Sequence, residues 1–223
     1  MLNLLRTRSM AKEYLDEEEI PTLELYRNLL ELNIINRFLG GHKITRKGAE
    51  ALLQGRALHI AEIGSGGGDN LACLRMYDPA SLTGIDYKSD CVAYAARRYP
   101  DIRFVCADYR QAPPADIFFS SLFCHHFSRE ELIAQLQWLK NNSRVGFFIN
   151  DLHRHPLAWI SIRVLTVLFS RSRLVKHDAP LSVARGFRRH EWEEMLQAAG
   201  ISNYRIRWQW AFRYLIIVEH EQF

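Results

Sequence analysis

A glycine-rich turn, Glu62-Ile-Gly-Ser-Gly-Gly-Gly68, closes the short apolar run Ala57 to Ile63 and precedes a helical stretch that starts at Asp69. Glycines at 64, 66 and 68 let the backbone turn sharply from strand to helix and approach a ligand closely. The free amides at the following helix start can receive a carboxylate. Asp86 ends the next apolar run at about the spacing where an acidic side chain takes both ribose hydroxyls. Two nucleoside ligands compete for such a turn. A dinucleotide needs a third glycine that opens the helix onto its pyrophosphate. That position is Asp69, a carboxylate that would repel it, with no basic residue close in sequence. Glu62 suits instead a ligand that carries an ammonium and a sulfonium.

Glu62 to Gly68 reads E/DxGxGxG, and with Asp86 it resembles the first two motifs of the class I S-adenosylmethionine-dependent methyltransferases over about residues 57 to 220. The resemblance implies an α/β, doubly wound, Rossmann-like sheet of seven mostly parallel strands with an antiparallel terminal hairpin strand. It also implies S-adenosyl-L-methionine as cofactor. On it Glu62, Gly64, Ser65, Gly66 and Gly68 form the donor turn and Asp86 holds the ribose. Tyr87 flanks the adenine, and Asp108 with Tyr109 meets the adenine amino group and ring. Ser120-Ser-Leu-Phe-Cys-His-His-Phe127 is similar to the fourth-strand motif of the ubiquinone/menaquinone-type small-molecule branch, which adds Ser121 and Leu122 to the donor site. Enzymes that methylate exocyclic amines of bases carry a D/N-P-P-Y/F turn there, and this chain has Ser-Ser-Leu-Phe. The modest formal charge of +4, without a basic stripe, points the same way, against a nucleic-acid substrate.

Methyl transfer to an oxygen needs a base with a pKa near neutral, for which histidine is the usual choice. His125 and His126 follow the fourth apolar run and face opposite ways on an extended backbone, so at most one should meet the site. Asp151, His153 and His155 alternate onto a common side if extended. The expected bases are His153 first and His126 second; for each, a packing role is the alternative. Asp151, His153 and His155 form a rival divalent-metal set, where two histidines suit zinc better than magnesium, but no metal is expected. Cys124 is expected to be a packing thiol, because methyl transfer needs no covalent intermediate.

Strand-like runs Leu82 to Ile85, Arg103 to Ala107, Asp116 to Leu122 and Val145 to Asn150 alternate with helical stretches, the pattern of a parallel sheet covered on both faces. Ser128-Arg-Glu-Glu131 is a capping box, and Ser89 reads as an N-cap for a helix reaching Tyr99. Tyr204 to Trp210 and Phe212 to Glu219 are too close for a parallel crossover, so they should pair as an antiparallel hairpin. Residues 1–55 read as an N-terminal helical cap and 56–223 as the methyltransferase domain, with a helical insertion at about 155–185. Leu23, Tyr26, Leu30, Ile34 and Phe38 form one apolar stripe, and a shorter helix covers Arg46 to Leu53. Leu157, Ile160, Val164 and Leu168 form another stripe on a helix apolar on nearly all sides. These two helices are expected to pack together as a lid over a hydrophobic substrate; contact of the second with a membrane surface is a further reading. Six acids at 13–24 (Glu13, Asp16, Glu17, Glu18, Glu19, Glu24) face six basic residues at 171–189, either as separate solvated surfaces or as an arm docked to close the site.

The four cysteines lack metal or disulfide spacing, and the start of the chain lacks a sustained apolar stretch, which together suit the cytoplasm. The expected acceptor is a small, largely apolar molecule, an aromatic hydroxyl of a polyketide-like or quinone-like metabolite. A non-catalytic adenosyl-ligand-binding protein and a methyltransferase with a protein or lipid substrate are the alternatives. Nothing in the sequence fixes an oligomeric state.

Overall fold

Apolar runs too short for helices become the strands of a computed structural model that describes residues 5–17 and 19–220; Glu18 of the acidic stretch lies outside them. The strands are β1 (His59–Ile63), β2 (Ser81–Asp86), β3 (Arg103–Cys106), β4 (Ala115–Ser121), β5 (Ser143–Leu152), β6 (Tyr204–Gln209) and β7 (Arg213–Glu219). They form one seven-stranded sheet in the order β3-β2-β1-β4-β5-β7-β6. β1 pairs in parallel with β2 and β4, β2 with β3, and β4 with β5. β7 runs antiparallel between β5 and β6, so the hairpin closes one edge. Strand order reverses at β1, which places the open crevice beyond the carboxyl ends of β1 and β4.

The helices are α1 (Thr22–Phe38), α2 (Gly41–Leu53), α3 (Asp69–Ala72), α4 (Ser89–Arg98), α5 (Arg129–Asn142), α6 (Pro156–Phe169), α7 (Arg173–Arg185) and α8 (Arg189–Ala198). On one face of the sheet Leu132 and Leu136 of α5 and Trp192 and Leu196 of α8 pack with Phe118 and Phe147. On the other, Ile44 and Leu52 of α2 pack with Leu71, Phe119 and Phe148. Each such side chain contributes about 1.5–3 kcal/mol by leaving water. Residues 41–53 are therefore a layer of the sheet's own core, and the expected cap ends before α2. α2 also starts five residues earlier than Arg46, because Gly40, at φ 79°, supplies the turn that separates it from α1.

Local chemistry sets the helix ends. Ser128 Oγ accepts from Glu131 N while the Glu131 carboxylate accepts from Ser128 N, which closes the expected box on α5. Ser89 lies inside α4, and Lys88 precedes it without a side-chain cap. α6 opens on Pro156, whose missing N–H costs nothing at that position, and His155 Nδ1 accepts from Leu157 N.

Most of both expected apolar stripes is exposed, although Tyr26 packs with Leu25 and Tyr94, and Ile160 and Val164 line an apolar cavity between α6 and α7. On α1 the buried residues are Leu25, Asn28, Leu29 and Asn36, whereas Leu23 is 83% exposed and Leu30, Ile34 and Phe38 are also exposed. On α6 Ala158, Ile162 and Thr166 turn inward, and Leu157, Val167, Leu168 and Phe169 face solvent. Contact between the two helices runs through other residues, with Ile35 and Leu39 packed on Ala158 and Ile162.

The acidic arm docks on the basic segment. Asp16 Oδ2 lies 2.8 Å from Arg185 Nη1, and Glu24 lies 3.6 Å from Arg173. The Asp178 carboxylate accepts from Tyr14 N and Leu15 N at 2.9 and 3.0 Å. Glu31 of α1 clasps the α6–α7 turn by accepting from Ser170 Oγ and from the amides of Arg171 and Ser172.

Candidate functional site

Two cavities, each about 590 Å³, open beyond the carboxyl ends of the strands. The first lies over the glycine turn. Gly64, Ser65, Gly66, Asp86, Tyr87, Asp108 and Tyr109 line it, and Ser121 and Leu122 close its inner end. Gly64 has φ 68°, and a Cβ there would stand 2.2 Å from the Phe123 ring, so this position excludes any larger residue. Glu62 and Gly68 stand behind the wall rather than in it. Glu62 is fully buried; its Oε1 accepts from Asn70 Nδ2 at 3.0 Å, and Oε2 has no partner among the described residues. Asn70 itself lines the cavity, so Glu62 reaches it through that amide.

Asp86 is nearly buried; its Oδ2 accepts from Gly66 N and its Oδ1 from Lys88 N. Burial raises the pKa values of Glu62, Asp69 and Asp86, and the charges of Asp69 and Asp86 push Glu62 further up. A cationic ligand relieves that strain. Asp69 is not unopposed: Tyr99 Oη donates to it at 2.6 Å and Arg98 Nε lies 3.6 Å away. No basic residue is close to Asp69 in sequence, but α4 brings in Arg98 from 29 residues later. The case against a pyrophosphate therefore rests on Glu62 and Asp86 as well.

Opposite the carboxylates, Tyr109 stands edge-on to Phe123, Phe127 and Trp138, with ring centroids 6.4, 6.4 and 5.2 Å away. This aromatic wall suits a flat heterocycle. Trp138 was not foreseen, since nothing in α5 alone aims it at the site. Tyr87 sits at the rim, 61% exposed. Asp108 pairs with Arg110, which also accounts for its lowered pKa. Leu29, Leu32, Asn33 and Asn36 bring α1 over the cavity.

The second cavity is walled by α1, α6, α7 and the β6–β7 turn. Ile35, Leu39, Ala158, Ile162, Leu165 and Val183 make it largely apolar. The two cavities share Leu15, Leu32, Leu122 and His126. Leu122 holds φ 54° at that junction, a conformation that costs about 1–3 kcal/mol for a residue other than glycine.

Cys124 to His126 form a tight 3-10 turn rather than extended backbone, so both imidazoles face the second cavity, their rings 4.4 Å apart. His125 Nδ1 is 2.8 Å from Asp151 Oδ1, and His126 Nδ1 is 2.7 Å from Asp16 Oδ1. Neither Nε2 has a hydrogen-bond partner among the described residues; Glu13 Oε1 lies 3.6 Å from that of His125 and Glu13 Oε2 3.9 Å from that of His126. Burial pushes Glu13 up to about 7. Burial opposes ionisation of Asp16 too, but His126 and Arg185 hold it below the usual carboxylate range. Glu13, His125 and His126 are the set whose ligand atoms, among the described residues, converge closely enough to hold a divalent ion.

His153 is not brought to either cavity. It packs on Tyr214 and His155, 4.9 and 5.3 Å between ring centroids, and burial holds it neutral at a pKa of about 4. Asp151 leaves the expected set, because β5 continues through Leu152 and turns this carboxylate toward His125 and Cys124 N. The four cysteines are free, and burial raises the Cys124 thiol well above its ordinary value, as a packing role requires.

Residues 60–146 match the family model described as methyltransferase domain. The sheet order and the glycine turn are in keeping with that match. The chain is similar to trans-aconitate 2-methyltransferase of Klebsiella pneumoniae (strain 342), 33% identical over 88 residues, which are 38% of this chain and 30% of that one. It is also similar to demethylmenaquinone methyltransferase of Chlorobaculum tepidum, 31% identical over 101 residues, 45% of this chain and 40% of that one. The chain thus spans less than half the length of either relative. Among solved structures, the plantazolicin methyltransferase BpumL in complex with SAH shares the fold, with a TM-score of 0.65 at 18% identity over 89% of this chain and 96% of that one.

Proposed function

We propose that the chain is an S-adenosylmethionine-dependent methyltransferase that transfers a methyl group to a small, largely apolar acceptor, an aromatic hydroxyl of a polyketide-like or quinone-like metabolite. The observation that carries this reading is the pair of equal cavities that meet at His126, one carboxylate-bearing over a glycine turn and one apolar. The first suits the donor: Asp86 would take the ribose, the wall at Tyr109 the adenine, and the buried acids the positive charge. The donor supplies, when bound, a methyl group on a cationic sulfur. What the protein adds is orientation and proton removal.

Asp16, kept ionised, accepts from His126 Nδ1–H and leaves the Nε2 lone pair toward the junction. The acceptor O–H proton passes to that nitrogen or to Glu13 as the oxygen takes the methyl carbon. Incubating the chain with methyl-labelled donor and a panel of phenols and hydroxyquinones tests this. Labelled ether from the parent, reduced about 100-fold or more in His126→Asn at unchanged donor affinity, supports it; equal turnover by His126→Asn removes the base assignment.

One observation favours delivery of the acceptor from a lipid surface. The outer face of α6 is apolar, with Phe169 77% exposed, and Arg163, Arg171 and Arg173 lie beside it. No described helix is long and apolar enough to cross a membrane.

A further inference from the structure

The second cavity contains a buried cation that forms no ion pair among the described residues. Arg213, the first residue of β7, is 2% exposed and lines this largely apolar space, whose other polar groups include Glu13, His125, His126 and Asp178. Its Nη2 donates to Asn36 Oδ1 at 2.9 Å, and its Nη1 has no hydrogen-bond partner among the described residues. Asp151 is the carboxylate whose charge it feels, but that group is occupied by His125, Cys124 N and Leu152 N. Arg213 enters no ion pair among the described residues. Its pKa is drawn down to about 10 by burial, a measure of how poorly the charge is accommodated.

Space for the guanidinium is built in. A Cβ at Gly41 would stand 2.9 Å from Nη1 and 2.5 Å from Asn36 Oδ1, so α2 must begin on glycine for the pair to fit. A buried, unpaired guanidinium is costly, and its planar fork matches a carboxylate or an aryl oxyanion.

We infer that Arg213 is the anion-holding residue of the second cavity, and that the acceptor is an apolar molecule bearing a carboxylate or phenolate oxygen. This deepens, and rests on, the reading of that cavity as the acceptor site. Arg213 would bind the anionic oxygen while the apolar walls take the body of the molecule, so the two set specificity together.

The test uses the full chain saturated with S-adenosylhomocysteine and titrated calorimetrically with 2-naphthoate, with 6-cyano-2-naphthol at alkaline pH, and with neutral 2-naphthamide. The first two separate a carboxylate from a phenolate. The better-bound anion is expected to exceed the amide by roughly 10- to 100-fold, a difference that Arg213→Met abolishes and Arg213→Lys keeps in part. Gly41→Ala, which crowds the same guanidinium from another element, is expected to weaken the anion and not the amide.

Equal binding of anions and amide by the parent, or no binding of any of the three, overturns the inference. So does an Arg213→Met variant that loses S-adenosylhomocysteine affinity while keeping that for naphthoate, since Arg213 would then serve the donor's own carboxylate. Failure of the parent to bind S-adenosylhomocysteine at all would instead strike the proposed function.

Discussion

Replacing Arg185 by methionine should release the acidic arm from the histidine turn. Arg185 is 4% exposed. Its Nε donates to His125 O at 3.0 Å and its Nη2 to His126 O at 2.8 Å; Nη1 donates to Ala11 O at 2.9 Å and Asp16 Oδ2 at 2.8 Å. One side chain thus pins residues 11–16 to the turn that carries both imidazoles. Removing one member of a buried pair costs about 3–5 kcal/mol. The Asp16 side chain is 23% exposed and regains some water, so the lower end, about 3 kcal/mol, is expected. With a urea slope of about 3 kcal/mol/M the unfolding midpoint falls by about 1 M, within what a domain of 5–15 kcal/mol survives. Urea unfolding gives the midpoint, and limited proteolysis followed by mass spectrometry reports cleavage between residues 6 and 20. A loss below about 1 kcal/mol with an arm as protected as in the parent would refute the reasoning.

Four other outcomes are expected. Asp86→Asn weakens S-adenosylhomocysteine binding by roughly 30- to 100-fold, for two charge-assisted bonds to ribose made neutral, and leaves the melting temperature within a few degrees; unchanged affinity would end the ribose assignment. Turnover rises with pH through about 7 as Glu13 loses its proton, and Glu13→Gln lacks that limb. Because the folded pKa of Glu13 is raised from 4.5 to about 7, the folded state binds its proton more tightly; stability falls as pH rises between these values, and Glu13→Gln removes that decline. Phe169→Asp loses co-sedimentation with anionic phosphatidylglycerol vesicles while keeping donor affinity; equal sedimentation of variant and parent would leave the outer face of α6 without a lipid role.

The sheet and the glycine turn were readable from sequence because they are local: an apolar run, glycines and a strand-terminal acid lie within 30 residues. The aromatic wall was half readable, since Phe123 and Phe127 lie in the quoted motif but Trp138 arrives from α5. Helix orientation was not readable. Periodicity finds an apolar stripe, but α1 roofs cavities and turns Asn28, Asn33 and Asn36 to them, so its Leu23 and Phe38 are left outside. The preference for His153 over His126 assumed extended backbone after both strands. The 3-10 turn at Cys124 turns His126 to the cavities and the two-residue extension of β5 leaves His153 outside them, so the proposal rests on His126. Arg213 gave no signal, because its isolation depends on which side chains surround it.

The central claim is the identity of the ligand over the glycine turn, and calorimetric titration of the purified chain with S-adenosylmethionine, S-adenosylhomocysteine and NAD in parallel tests it most directly. Micromolar-range binding of both adenosyl ligands with no heat from NAD is the expected result. Preference for NAD, or no binding of any of the three, would contradict the account.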